Sequence, residues 1–164
     1  AIHNPQSNMN NAVGVANVLE MLKRGALVGM GTDGMTSRMQ EEVRTAYLLH
    51  RINLRNPQVA FCESPQMLLS NNAKIANKFF YGAKRGELSA GAAADIILID
   101  YIPFTPFDEN TFLGHFLFGI FEAAVDTTIC NGKILMRNKK VLTLDEETLC
   151  AEALKLSKKF WARF

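Results

Sequence analysis

An apolar run that ends in glycines and then in an acid constrains this chain most. The stretch ALVGMGTDGMTS, residues 26 to 37, sets Gly29, Gly31 and Gly34 in the order G-x-G-x-x-G with Asp33 inside it. Two incompatible architectures use such a stretch. In a dinucleotide cradle the third glycine opens a helix whose free N–H groups receive a pyrophosphate, and an acid about 20 positions further on holds the ribose. Here the expected helix cap, Ser37, lies beyond Gly34, Leu54 stands where the acid belongs, and Asp33 would repel a phosphate. The alternative is a strand that delivers Asp33 to its C-terminal end, where α/β proteins keep their chemistry, with small neighbours making room for a ligand. On the residues alone a third reading stays open, in which Asp33 only closes the following turn.

The surrounding pattern fits a parallel α/β unit. A short apolar start runs into NPQSNMNN, an Asn/Pro/Ser loop; Val15, Val18, Leu19 and Leu22 then mark a helix that Gly25 ends, and ALVGMG follows as a strand. Ser37 and Gln40 predict a capping box for a helix with Met39, Val43, Ala46 and His50 on one face. Residues 63 to 80 predict two shorter helical pieces, with Pro65 in a first turn and Ser70-Asn71-Asn72 as the break. Composition shifts near residues 82 to 94, after which the chain reads as a strand ADIILID, a helix over 109–121, a strand pair turning at Asn131-Gly132, and a helix from Asp145.

Composition excludes several classes. Eighteen basic and sixteen acidic residues leave a net charge of +2, too balanced to point to nucleic acid or a membrane surface. The most apolar stretch, FLGHFLFGIFEAAV, carries His115 and Glu122 and falls short of the roughly 20 residues that span a bilayer. Cys62, Cys130 and Cys150 are odd in number and widely spaced, which argues against a disulfide framework and fits a reducing, cytoplasmic setting. The opening AIHNP reads as the tail of a strand, so a fragment of a longer polypeptide is expected.

Four motifs in order, HNPQSN at 3–8, GMGTDG at 29–34, GELSAGAAADIILID at 86–100 and ICNGKILMRN at 129–138, resemble the C-terminal part of an amidohydrolase-superfamily enzyme. The similar branch is that of chlorohydrolases, guanine deaminases and SsnA-type aminohydrolases. The resemblance implies an α/β fold: the last two strands and helices of a metal-dependent (β/α)8 barrel over residues 1–84, β-sandwich-type strands with an intervening helix over 85–143, and a C-terminal helix over 144–164. It implies hydrolysis of non-peptide C–N bonds in a small amino-heterocycle, with Asp33 as metal ligand and proton shuttle. The metal implied is divalent, zinc first and iron second. His3 is the one candidate helper to Asp33, and His3, Asn4, Ser7, Asn8 and Thr32 are the residues expected to shape the rim or support the ligands. Asn and Ser after a strand satisfy a turn equally well.

The departure from the family is large. Its H-x-H pair and two further histidines have no counterpart among His3, His50 and His115. Two strands cannot close a barrel that takes about 250 residues. The chain alone is therefore expected to be inactive and to lack the metal, pairing with the missing N-terminal part or with a second copy. The alternative is a non-catalytic module that self-associates through open strand edges.

Overall fold

The computed structural model describes all 164 residues. The chain forms two compact units, each made of two segments: Ala1–Ala93 with Tyr101–Ala123, and Ala94–Asp100 with Ala124–Phe164. No helix is long and apolar enough to cross a membrane.

In the first unit, β1 (Ile2–His3) and β2 (Gly29–Met30) pair in parallel, Ile2 opposite Gly29 and His3 opposite Met30. Between them lie α1 (Pro5–Asn10) and α2 (Val18–Lys23), and after them α3 (Met39–Leu54), α4 (Glu63–Gln66), a π turn (Met67–Asn71), α5 (Asn72–Phe79) and α6 (Phe112–Phe118). The expected loop NPQSNMNN is thus a helix from its second residue to its seventh. Pro5 supplies a first-turn φ suited to a helix, and the N–H of Gln6, left without an intrahelical partner, donates to Glu42 Oε2 at 3.1 Å. The expected capping box also fails. α3 starts at Met39 with Arg38 as its N-cap, which puts Ser37 one residue too early, and Thr36 Oγ1 accepts the Arg38 N–H instead at 3.0 Å.

The predicted break at Ser70-Asn71-Asn72 is not a break, because helical dihedrals run on through Met67 and Asn72. The π turn holds one extra residue per turn and swings two asparagines onto β2. Asn72 Oδ1 accepts the Met30 N–H and Asn72 Nδ2 donates to Met30 O, both at 2.9 Å, while Asn71 Nδ2 donates to Val28 O at 2.7 Å. Since Gly29 and Gly31 donate to Ala1 O and His3 O on the β1 side, the asparagines occupy the opposite edge of β2 in place of a third strand. The expectation of open backbone groups fails along this edge. Val28, Met30, Val43, Ala46, Met67, Leu117 and Ile120 form the buried core.

The second unit is one antiparallel sheet in the order β3 (Ile96–Ile99), β4 (Val125–Cys130), β5 (Lys133–Arg137), β6 (Lys140–Val141), followed by α7 (Glu146–Trp161). Asn131 and Gly132, at φ 48° and 79°, make the predicted hairpin turn, and Asn138 and Lys139, at φ 51° and 62°, make a second one that adds β6. Asp145 caps α7, accepting the Thr148 N–H at 3.1 Å and its hydroxyl at 2.7 Å.

Candidate functional site

Strand alternation sorts the residues at the end of the small parallel sheet. A side chain added at Gly31 would collide with Ile2 and Asn4 Oδ1, and one added at Gly29 would press on Ile2, so Ile2, Asn4, Gly29 and Gly31 share one face. His3 and Met30 share the other, which is buried against the helices. The two glycines leave room on that face for the side chains of Ile2, Asn4 and Asn72, and the parallel pairing puts α1, which follows β1, beside the loop that follows β2.

Asp33 sits in that loop, exposed, with the left-handed φ of 51° that a non-glycine residue adopts rarely and Asp among the more often. Its carboxylate is held on one side only: the Ser7 hydroxyl donates to Oδ2 at 2.7 Å, and Oδ1 accepts no hydrogen bond. Ser7 is buried on α1, and Asn11 Nδ2 donates to Ser7 Oγ at 3.4 Å. The structure therefore brings Ser7 and Asp33 together across 26 residues of sequence. Asn4 packs on Gly31 as the N-cap residue of α1 with no side-chain cap bond, and Asn8 contributes its backbone to α1. Thr32 reaches only Asp33 O, at 3.5 Å.

His3 is placed differently from the expectation that it shares a rim with Asp33. It is 2% exposed, and its Nε2 lies 3.2 Å from Nε2 of the equally buried His50 on α3. The physical reason is period two: the residue next to Ile2 turns into the helix layer. Burial, reinforced by the His50 ring, pushes His3 down to about 4, and burial also lowers His50, with Glu63 acting the other way. Both rings are neutral at pH 7. His3 Nδ1 has no partner, so the economical tautomer puts the proton on His3 Nε2, donating to His50.

Glu42 is the residue that the sequence reading passed over. It is fully buried on α3, with Oε2 on the Gln6 N–H and Oε1 without a partner, and burial pushes its carboxyl above the usual range. The signal was present as an acid within the buried stripe Glu42, Val43, Ala46, Tyr47, His50. His115, by contrast, lines a cavity of about 360 Å³ with Phe61, Tyr101 and Phe118, and all its capacity is used. Pro106 O can only accept, so Nε2 donates to it at 2.9 Å, and Nδ1 accepts the Tyr101 hydroxyl at 2.6 Å.

No group of three or more His, Cys, Asp or Glu is placed to hold a metal ion. A catalytic zinc site takes about three protein ligands. The residues present fit one ligand of such a set, since Asp33 offers an exposed carboxylate with one oxygen tied and one free.

Residues 1–135 match the model of the amidohydrolase family. A 5-methylthioadenosine/S-adenosylhomocysteine deaminase of Pelotomaculum thermopropionicum is 39% identical over 158 residues, which cover 93% of this chain and 36% of the deaminase. A 5′-deoxyadenosine deaminase of Methanobrevibacter smithii is 38% identical over 162 residues, again 93% of this chain and 36% of the relative. Among solved structures, a zinc-bound adenosine deaminase from Xanthomonas campestris superposes with a TM-score of 0.78 at 20% identity, covering 98% of this chain and 37% of that one. An atrazine chlorohydrolase from Arthrobacter aurescens complexed with zinc gives a TM-score of 0.72 at 20% identity, over 94% of this chain and 35% of that one. The chain thus spans a little over a third of the length of the proteins it matches.

Proposed function

The chain belongs to the amidohydrolase family, and from that premise we propose that it is the C-terminal portion of a metal-dependent deaminase, contributing the last two strands of a (β/α)8 barrel and the strands of a small β-sandwich. The substrate class is an amino-heterocycle, and the deaminase relatives favour the 6-amino purine of a 5′-modified adenosine. The observation that carries the reading is the Asp33 carboxylate at the end of β2, clamped on Oδ2 by Ser7 and free at Oδ1.

Asp33 is the residue of this chain that would hold the divalent cation, zinc first. When bound, such a cation supplies a Lewis acid and a nucleophile at neutral pH. The protein's share is to orient and to carry a proton. Ser7 fixes the rotamer of Asp33 so that Oδ1 faces the open side, and a carboxylate there takes a proton from the attacking water and passes it to the departing amine. Water's oxygen replaces nitrogen on the ring carbon, and ammonia leaves. Asn4, Asn8 and Thr32 shape the rim around that oxygen, and His3 supports β1 from behind.

The test uses the complete polypeptide that contains these 164 residues. It is expected to hold zinc stoichiometrically and to release ammonia from 5′-deoxyadenosine or S-adenosylhomocysteine, and Asp33→Asn is expected to lower kcat at least about a thousandfold, with loss of metal. Full zinc content and activity in Asp33→Asn would defeat the reading, as would an upstream sequence without H-x-H. The 164 residues by themselves are expected to be inactive.

One observation favours a second reading, association of the isolated chain with copies of itself. Within its unit α7 buries none of its residues, and Leu149, Leu154, Leu156, Phe160 and Trp161 are all at least half exposed. Sedimentation is expected to show species larger than the monomer, reduced by Leu149→Glu with Phe160→Glu. A monomer at every concentration would exclude it.

A further inference from the structure

We propose that Glu42 is a positioning residue for the Asp33 carboxylate: it anchors α1 through the Gln6 N–H, and α1 in turn aims Ser7 so that Asp33 Oδ2 is occupied and Oδ1 is free. This rests on the reading of Asp33 as a metal ligand given above.

The argument starts from what a buried acid costs. A carboxyl group removed from water with one oxygen unpartnered is unfavourable, and an apolar side chain of similar volume would fill the site at lower cost. Glu42 is fully buried, and its Oε1 has no partner. What it does have is a single directional bond, 3.1 Å to the N–H of Gln6. The residue after Gln6 is Ser7, whose hydroxyl ends on Asp33 at 2.7 Å.

The helix between these two grips cannot position itself. α1 has six residues, well below the length at which a helix is stable alone, so its place is set by what holds it. On one side α3 holds it, through Glu42 and, one turn on, through Thr45 Oγ1, which accepts from Gln6 Nε2 at 3.4 Å. On the other side stands Asp33. A shift of α1 relative to α3 is transmitted through Ser7 to a carboxylate held at a single oxygen. Glu42 never touches the cation or the substrate in this account.

The test is a variant set in the complete polypeptide, read by zinc affinity in chelator competition and by the visible absorption of the cobalt(II)-substituted protein. Glu42→Leu removes the acceptor and fills the volume; it is expected to weaken zinc binding about tenfold and to alter the cobalt spectrum. Glu42→Gln keeps an acceptor oxygen and is expected to restore wild-type affinity. In a Ser7→Ala background Glu42→Leu is expected to cause no additional loss, since the two act in one chain. Should Glu42→Leu not fold, Gln6→Pro deletes the donor while leaving the acid in place and is expected to reproduce the loss. Wild-type zinc affinity and spectrum in the folded Glu42→Leu or Gln6→Pro variant, or additive losses with Ser7→Ala, would overturn the inference. If Asp33→Asn loses zinc while those variants keep it, only the role of Glu42 falls. If Asp33→Asn keeps zinc, the reading of Asp33 falls and takes this one with it.

Discussion

His3 and His50 meet ring to ring with centroids 5.1 Å apart and almost no solvent access, so protonating either one places a charge where water cannot reach it. The sign of the resulting pH dependence follows from the direction of the shift. A histidine that titrates at 6.5 when unfolded and near 4 in the fold binds fewer protons when folded, so it adds stability above pH 6.5 that is lost as pH falls toward 4. The urea midpoint of unfolding is therefore expected to drop between pH 7 and pH 4.5, and to drop less in His3→Gln. A flat profile would contradict the buried pair. Glu42 works in the opposite sense, because its raised carboxyl binds protons more readily in the fold and penalises the folded state at neutral pH. The position of Asp33 just past a strand end was readable from sequence, because glycines before an acid at the end of an apolar run are a local pattern. The inward turn of His3 was not, because one residue of register decides which face it takes, and a two-residue strand has too few residues to announce its phase.

At the scale of elements, side chains do work usually done by backbone. Asn71 and Asn72 complete the free edge of β2, and replacing Asn72 by Ala leaves the N–H and C=O of buried Met30 without partners. At about 1–3 kcal/mol for each of the two orphaned groups, Asn72→Ala is expected to lose on the order of 2–6 kcal/mol in a denaturant titration. Gly29→Ala belongs to the same prediction, since its added methyl would strike Asn72 Oδ1 and Ile75. Elements that carry their own instructions were legible in advance. The Asn131-Gly132 turn, the strand pair it joins and the start of α7 at Asp145 all follow from neighbouring residues. α1 and the π turn escaped because their determinants are remote: the acceptor for Gln6 lies 36 positions away, and the partner of Asn72 lies 42 away.

On the scale of the whole molecule, the chain leaves its larger unit at Ala94, lays down β3, and returns at Tyr101 before leaving again at Ala124. β3 pairs with β4, Ile96 opposite Ile129, so the sheet begins with a strand whose only neighbour is made a whole helix later. During synthesis the apolar Ile97 and Leu98 must wait, unmated, until α6 has emerged. A nascent or clipped chain ending at Ala123 would present them as a sticky ribbon, and recombinant 1–123 is expected to precipitate where the 164-residue chain does not, a difference light scattering would register. The segments of the two units alternate along the chain, so no single cut of the polypeptide separates one unit from the other.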